Sequence, residues 1–187
     1  MKKMILLFAT LLLFFACGGT QKQMKTLTIS EFSTKSELGE VVKDDLELKY
    51  SIGFYDNGSQ KYFVGLKGYS SDGDTTHYDR KAPLKKEEKG NKTYFYAENG
   101  DIAQVSVTKG DTIYMYRGDD LEEAFRYEVY SNKKLIVEAD LISEVKRTYT
   151  KAKYNENNAC TYAVIIEDDL DEETSETIIF EGVFEYY

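Results

Sequence analysis

The chain has 187 residues, with 24 lysines and arginines against 33 aspartates and glutamates and a formal net charge of −9. Acidity of that size disfavours nucleic acid and anionic lipid headgroups as partners, and it suits solubility, cationic ligands or a divalent metal. One histidine and two cysteines exclude a site built on paired histidines or a zinc cluster of the usual spacing, while 16 tyrosines and a single proline point to sheet rather than to a disordered stalk.

The chain opens on Lys2-Lys3, an apolar run from Met4 to Phe15 interrupted only by Thr10, then Ala16 and Cys17. A basic n-region, a short apolar h-region and a small residue before the cut make residues 1–16 a processing segment, too short to span a bilayer. Phe14-Phe15-Ala16-Cys17 followed by Gly18-Gly19 resembles the relaxed lipoprotein signals of the Bacteroidota. That resemblance implies that Cys17 becomes the acylated N-terminus of a mature chain held at a membrane without crossing it. Gly18-Gly19-Thr20-Gln21 lacks the acidic run that marks surface export in such lipoproteins, so the resemblance implies an outer-membrane position facing the periplasm. With Cys17 acylated, Cys160 has no intramolecular disulfide partner and is read as a small buried hydrophobe.

Residues 17–36 are polar and small, with Leu27, Ile29 and Phe32 as the candidate strand contacts, and read as a tether around one short strand at Leu27. The domain proper is expected over 37–187. Glu37 to Lys43 is a candidate helix. Leu46, Leu48, Tyr50, Ile52 and Phe54 then alternate with polar residues, the period of a half-buried strand. Asn57-Gly58 predicts a two-residue type I′ turn, and Tyr62, Val64 and Leu66 alternate on the return, so residues 48–67 read as a hairpin.

Asp79 to Asn91 is charged, contains Pro83 and reads as a loop between two β-halves. Strands are expected near Tyr94–Tyr96, Ile102–Val107, Ile113–Tyr116, Leu135–Ala139, Tyr162–Ile166 and Ile178–Tyr186, separated by turn signals. Asp119 to Arg126 has helical spacing after an acidic start, but Phe125, Tyr127 and Val129 alternate, and the region is read as strand. The whole is a mainly β, single-domain antiparallel meander of hairpins.

Tyr55-Asp56-Asn57-Gly58, Tyr96-Ala97-Glu98-Asn99-Gly100 and Tyr154-Asn155-Glu156-Asn157-Asn158 share a tyrosine, an acidic or amide-rich turn and a following strand. This resembles the degenerate tyrosine-aspartate repeats of bacterial envelope lipoproteins and Rhs-type shells. The resemblance implies a binding or structural role in the envelope and no catalysis, with an envelope protein or glycan as partner. If the chain is of that group, Asp74-Thr75-Thr76 and Asp111-Thr112-Ile113 also resemble its O-glycosylation sites.

Little in the sequence supports catalysis. Asp72-Gly73-Asp74 with His77 and Asp79 lacks the ligand spacing of an EF-hand and reads as a solvated turn. Glu167 to Glu173 is the densest acidic cluster and fits a hairpin tip, solvated or calcium-bound. No Gly-x-Ser-x-Gly elbow or phosphate-cradling loop is present, and no cofactor is expected. Tyr55, Tyr114 and Tyr116 are the candidate contact residues, since tyrosine offers large amphipathic area at low entropic cost. The rival reading is a hydrolase using a carboxylate pair in a cleft between the β-halves, recognisable by inward acids with raised pKa values.

Overall fold

A computed structural model describes residues 23–68, 73–79 and 85–187. The expectation of a mainly β meander holds: thirteen strands form one antiparallel sheet, with no helix among the described residues. In chain order they are β1 (Met24–Glu37), β2 (Glu40–Phe54), β3 (Gln60–Lys67), β4 (Thr75–His77), β5 (Lys85–Lys89), β6 (Lys92–Tyr96), β7 (Ile102–Lys109), β8 (Thr112–Arg117), β9 (Arg126–Ser131), β10 (Lys134–Asp140), β11 (Val145–Tyr154), β12 (Cys160–Asp169) and β13 (Thr174–Tyr186). Their order across the sheet is β4-β3-β2-β1-β13-β12-β11-β10-β9-β8-β7-β6-β5. The chain therefore starts in the middle, builds outward to one edge, and resumes at the other edge to return to its own first strand.

This order forces the sheet to coil. Laid flat, twelve inter-strand gaps of about 4.8 Å would part the two edges by about 58 Å. His77 and Lys85 are eight peptide units apart in the chain, a reach of about 28 Å at most.

Four expectations are corrected here. Residues 24–36, read as tether, lie in β1, which is hydrogen-bonded to β13 on one side and β2 on the other. The polar residues that suggested a tether are the outward half of an alternation: Leu27 and Ile29 are buried, with Thr28 and Ser30 between them only partly exposed. The helix proposed over Glu37 to Lys43 is instead the tip of the β1–β2 hairpin, where Leu38 and Gly39 both have positive φ (53° and 82°), as a type I′ turn requires. The loop proposed over Asp79 to Asn91 contains β5, whose residues Lys85 to Lys89 are all exposed. Such a strand has no apolar alternation to reveal it. Its pairing with β6 is supported by the Tyr96 hydroxyl, which donates to Glu87 Oε2 at 2.7 Å, and by Lys89 and Lys85 over the rings of Tyr94 and Tyr96. Pro83 lies outside the described residues. Asp119 to Phe125 is an irregular connection, and strand begins only at Arg126.

The three aromatic turns prove to be one device, though not the one predicted. In each, the first residue donates its N–H to the fifth and accepts one from the fourth: Tyr55 with Ser59 and Gly58, Ala97 with Asp101 and Gly100, Asn155 with Ala159 and Asn158. The fourth residue alone is left-handed (Gly58 84°, Gly100 89°, Asn158 60°), which is a type I turn closed by a bulge rather than type I′. Aligned by this geometry, the aromatic before the turn is Phe54, Tyr96 and Tyr154. Tyr55 has moved one position into the turn.

Two cores lie on opposite faces of the sheet. Register places Leu27, Ile29, Tyr50, Ile52, Ile165, Ile178 and Phe180 on one face, where β1, β2, β12 and β13 supply most of the larger cluster. Val105, Val107, Tyr114 and Tyr116 of β7 and β8 project from the other face, where Tyr94 and Ala124 help to cover them. Around the larger core, the long β1–β2 hairpin loses its register with β13 after Phe32 and its arm crosses toward that strand. Thr34 Oγ1 donates to the Thr177 carbonyl at 2.9 Å, and Lys43 pairs with Glu181. The arm accounts for the burial of Ile179, which points away from the larger core.

Candidate functional site

Between the two cores the sheet carries charge where the alternation calls for apolar residues. On the face of the larger core, β9 presents Arg126 and Glu128, β10 presents Glu138 opposite Glu128, β11 presents Arg147 opposite Glu138, and β12 presents Glu167 opposite Arg147. Arg126, Glu128 and Glu138 are 1%, 1% and 2% exposed. Arg126 donates from Nε and NH2 to Glu128 Oε1 (3.1 and 2.8 Å) and from NH2 to Glu138 Oε2 (2.5 Å). The remaining oxygens accept hydroxyls: Glu128 Oε2 from Tyr130 and Glu138 Oε1 from Tyr149, both at 2.6 Å.

Arg147 continues the network. Its Nε donates to Glu167 Oε2 at 2.6 Å, and its NH1 and NH2 grip both oxygens of Glu31 on β1 at 2.8 and 3.3 Å. β1 and β11 are three inter-strand gaps apart, about 14 Å on a flat sheet, so this fork spans β12 and β13 and ties the start of the chain to its last third. Bidentate guanidinium geometry makes such a tie directional as well as attractive.

Two guanidinium groups face four carboxylates, and the imbalance appears in the ionisation. Burial pushes Glu128 above the usual carboxylate range; Arg126 opposes this and the neighbouring Glu138 charge adds to it. Arg126 and Arg147 are held above the ordinary guanidinium value because their glutamates outweigh the burial that works against their charge. Burial and then Glu138 push Tyr149 well above a normal phenol, so it serves as a hydroxyl donor.

One inward acid with a raised pKa is present, Glu128, opposite Glu138 on β10. Both oxygens of each are already engaged by internal donors, and their side chains are only 2% and 3% exposed. Both carboxylates are turned into this network and away from solvent. What the arrangement does is fix register, because sliding β9, β10 or β11 by one residue would turn the charges to the other face.

The proposed contact residues are not one surface. Tyr116 is 7% exposed and belongs to the smaller core. Tyr114, on the same face, is half-buried, tilted against Tyr127 with ring centroids 6.1 Å apart, and has Lys109 Nζ 5.2 Å from its ring. Tyr94 and Tyr96 extend this array toward the edge, with Lys89 and Lys85 at 5.5 and 5.4 Å from their rings. Tyr55 sits apart at the β2–β3 turn, where its hydroxyl donates to the Tyr78 carbonyl at 3.2 Å. The structure thus assembles a lysine-rimmed array of Tyr94, Tyr96, Tyr114 and Tyr127, of which only Tyr114 was among the expected contact residues.

Cys17 and Asp72 lie outside the described residues. His77, Asp74 and Asp79 are exposed, and no cluster of three or more metal-ligating residues occurs among the described residues. Glu167 leaves the acidic run to join Arg147 in the interior. The rest forms the β12–β13 tip, where Asp169 Oδ1 accepts the N–H groups of Asp171 and Glu172. Burial pushes the Cys160 thiol up to about 11, and the thiol donates to the Tyr162 carbonyl, an inert environment for sulfur. Thr75 is exposed and Thr112 half-buried.

No protein-family model, curated protein or solved structure matches the chain.

Proposed function

We propose that this chain is a lipid-anchored cell-envelope protein with a non-catalytic binding or structural role, exercised through the tyrosine-rich face of β6 to β9. The observation that carries the reading is the array of Tyr94, Tyr96, Tyr114 and Tyr127, whose rings are half-buried and flanked by Lys85, Lys89 and Lys109. Aromatic faces held in place in the free protein contact a glycan or a protein with little further loss of side-chain freedom. The position facing the periplasm, the acylation of Cys17 and the kinship with tyrosine-aspartate repeat lipoproteins belong to the same proposal and rest on the residues that suggested them.

The hydrolase reading draws on Glu128, whose pKa is raised, directly opposite Glu138. Engagement of every oxygen of both carboxylates by Arg126, Tyr130 and Tyr149, with the side chains almost wholly buried, speaks for a structural role instead. A binding panel of envelope glycans and isolated envelope proteins tests the choice. The proposal expects a ligand whose affinity falls about ten-fold or more in Tyr114→Ala with Tyr127→Ala, the loss typical of an aromatic anchor. Turnover of a glycan that Glu128→Gln abolishes would overturn it. For the anchor, wild-type protein should carry acyl mass and partition into detergent, and Cys17→Ala should carry none.

A further inference from the structure

The net charge of −9 conceals a segregation along the strand direction. Because every neighbouring pair is antiparallel, alternate turns fall on the same rim of the sheet. One rim holds the start of β1, the end of β13 and the β2–β3, β9–β10 and β11–β12 turns. The opposite rim holds the β1–β2, β8–β9, β10–β11 and β12–β13 connections, with Asp119-Asp120 and Asp171-Glu172-Glu173 among them.

The rim where the chain enters is basic on balance, six exposed lysines standing against the exposed Asp56, Asp79, Glu156 and Glu185. Lys25, Lys61, Lys133, Lys134, Lys151 and Lys153 are all exposed there, and none is in an ion pair among the described residues. Three of them stand beside tyrosine rings: Lys61 at Tyr55, Lys134 at Tyr154 and Lys153 at Tyr162, at 5.7, 5.2 and 5.3 Å. This surface is ordered before any partner arrives. Tyr187 donates its N–H to Gln23 and its hydroxyl to the Phe54 carbonyl, at 2.9 and 2.8 Å. Asn155 donates to the Tyr186 hydroxyl at 3.0 Å, and Tyr154 donates to the Leu135 carbonyl.

We infer that this lysine and tyrosine rim docks on the anionic phospholipid surface of the membrane that holds the anchor. The inference rests on the proposed acylation for its geometry. With β1 starting at Met24, Cys17 is six peptide units from Gln23 in the sequence, a span of at most about 21 Å. An acyl chain at Cys17 brings this rim, and not the acidic one, to the headgroups. Basic side chains beside an anchor are drawn to anionic lipid, and tyrosines suit the interface between apolar and wet surroundings. The acidic rim is then turned away, so the polarity orients the sheet on the membrane as well as holding it there.

Hydrogen exchange of the full acylated protein in vesicles of phosphatidylcholine, with or without about a third phosphatidylglycerol, tests this. Turns 55–59, 131–134 and 155–159 should exchange about ten-fold more slowly on the anionic vesicles, and the difference should vanish in about 0.5 M salt. Turns 141–144 and 170–173 on the acidic rim should not change and serve as the control for folding. Lys25→Glu with Lys133→Glu and Lys153→Glu should lose the protection while keeping the control turns intact. Equal exchange of the basic rim on both vesicles, or protection that survives the triple variant, overturns the docking. If the protein instead carries no acyl mass and leaves neutral vesicles, the anchor has failed, and protection on anionic vesicles alone still decides the docking.

Discussion

The two ends of the sheet bury themselves by different means. Around β1, β2, β12 and β13, aliphatic side chains and the rings of Tyr50, Phe54 and Phe180 meet on one face, and Ala163 and Ile165 reach 0% exposure among them. Around β6 to β8, Val105 also reaches 0%, but its cover is tyrosine and one irregular connection. The tyrosines over the larger core are tied inward, Tyr149 donating to Glu138 and Tyr154 to the Leu135 carbonyl. Tyrosine cover excludes water from Val105 with one part of the ring and leaves the hydroxyl end wet, so the same residues can be core and contact surface at once. The difference explains why the proposed binding face lies on the half with the thinner core.

Arg126 stands where burial passes from one face to the other, and breaking it should have the largest effect. Arg126→Ala leaves Glu128 and Glu138 buried without their cation, an expected loss of about 3–5 kcal/mol. Equilibrium urea unfolding measures it. Replacing all three by Met, Gln and Gln should recover much of the loss, because what destabilises is the unpaired charge rather than the missing bond. A single-variant loss below about 1 kcal/mol would mean that water reaches the network and that it does not divide the two cores.

Two glycines compare the halves of the sheet nearer the chain's start. A Cβ at Gly182 would lie 2.9 Å from the Cys160 carbonyl oxygen and 2.8 Å from the Phe184 ring. At Gly53 it would lie 2.1 Å from the Tyr62 ring, a side chain on an outward face that can swing aside. Gly182→Ala is expected to cost about 2–3 kcal/mol and Gly53→Ala about 1 kcal/mol, as overpacking costs less where the neighbour can move. Equal costs would mean that Tyr62 is as fixed as the backbone.

The fold was legible wherever burial followed period two, as over Leu46 to Phe54. It was not legible in three kinds of place. β1 was missed because Thr28 and Ser30 carry its outward alternation in small polar residues that also suit a tether. β5 was missed because Lys85 to Lys89 is held to β6 by lysines over tyrosine rings and by the Tyr96 hydroxyl on Glu87, and charge in a row reads as loop. The network was missed because Arg126, Glu128, Glu138 and Arg147 sit at inward positions of otherwise apolar strands. Opposite charges at matching strand positions were the available signal, but pairing them requires the register, which one sequence does not supply. Tyr55, Tyr114 and Tyr116 were grouped as contact residues, but Tyr55 lies apart at the β2–β3 turn and the burial of Tyr116 depends on cover from Tyr94 and Ala124, which the sequence does not reveal.

The charge imbalance gives a smaller, signed effect. Because the folded-state pKa of Glu128 lies above its ordinary 4.5, the native chain binds the proton more tightly than the unfolded chain does. Its contribution to stability is full at low pH and is lost as pH rises through the folded value, at up to about 1.4 kcal/mol per pH unit. Glu128→Gln should flatten that part of the profile above pH 4.5 while leaving other slopes in place. An unchanged profile would mean that Arg126 alone balances the pair.

The smallest effect concerns the turns that join all parts of the sheet. Gly58 and Gly100 hold the left-handed position that Asn158 holds in the third turn. Ala at either glycine should cost about 1 kcal/mol, since its Cβ disfavours that conformation, whereas Asn158→Gly should change stability by no more than about 0.5 kcal/mol. Asparagine tolerates the conformation, and Gly gains there only what it loses by loosening the unfolded chain. If Asn158→Gly stabilises by as much as Gly58→Ala destabilises, the third turn is strained and the three are not equivalent. If it is neutral, the departure from glycine that obscured the repeat in the sequence has no physical cost, and the unit is defined by its hydrogen bonds rather than by its residues.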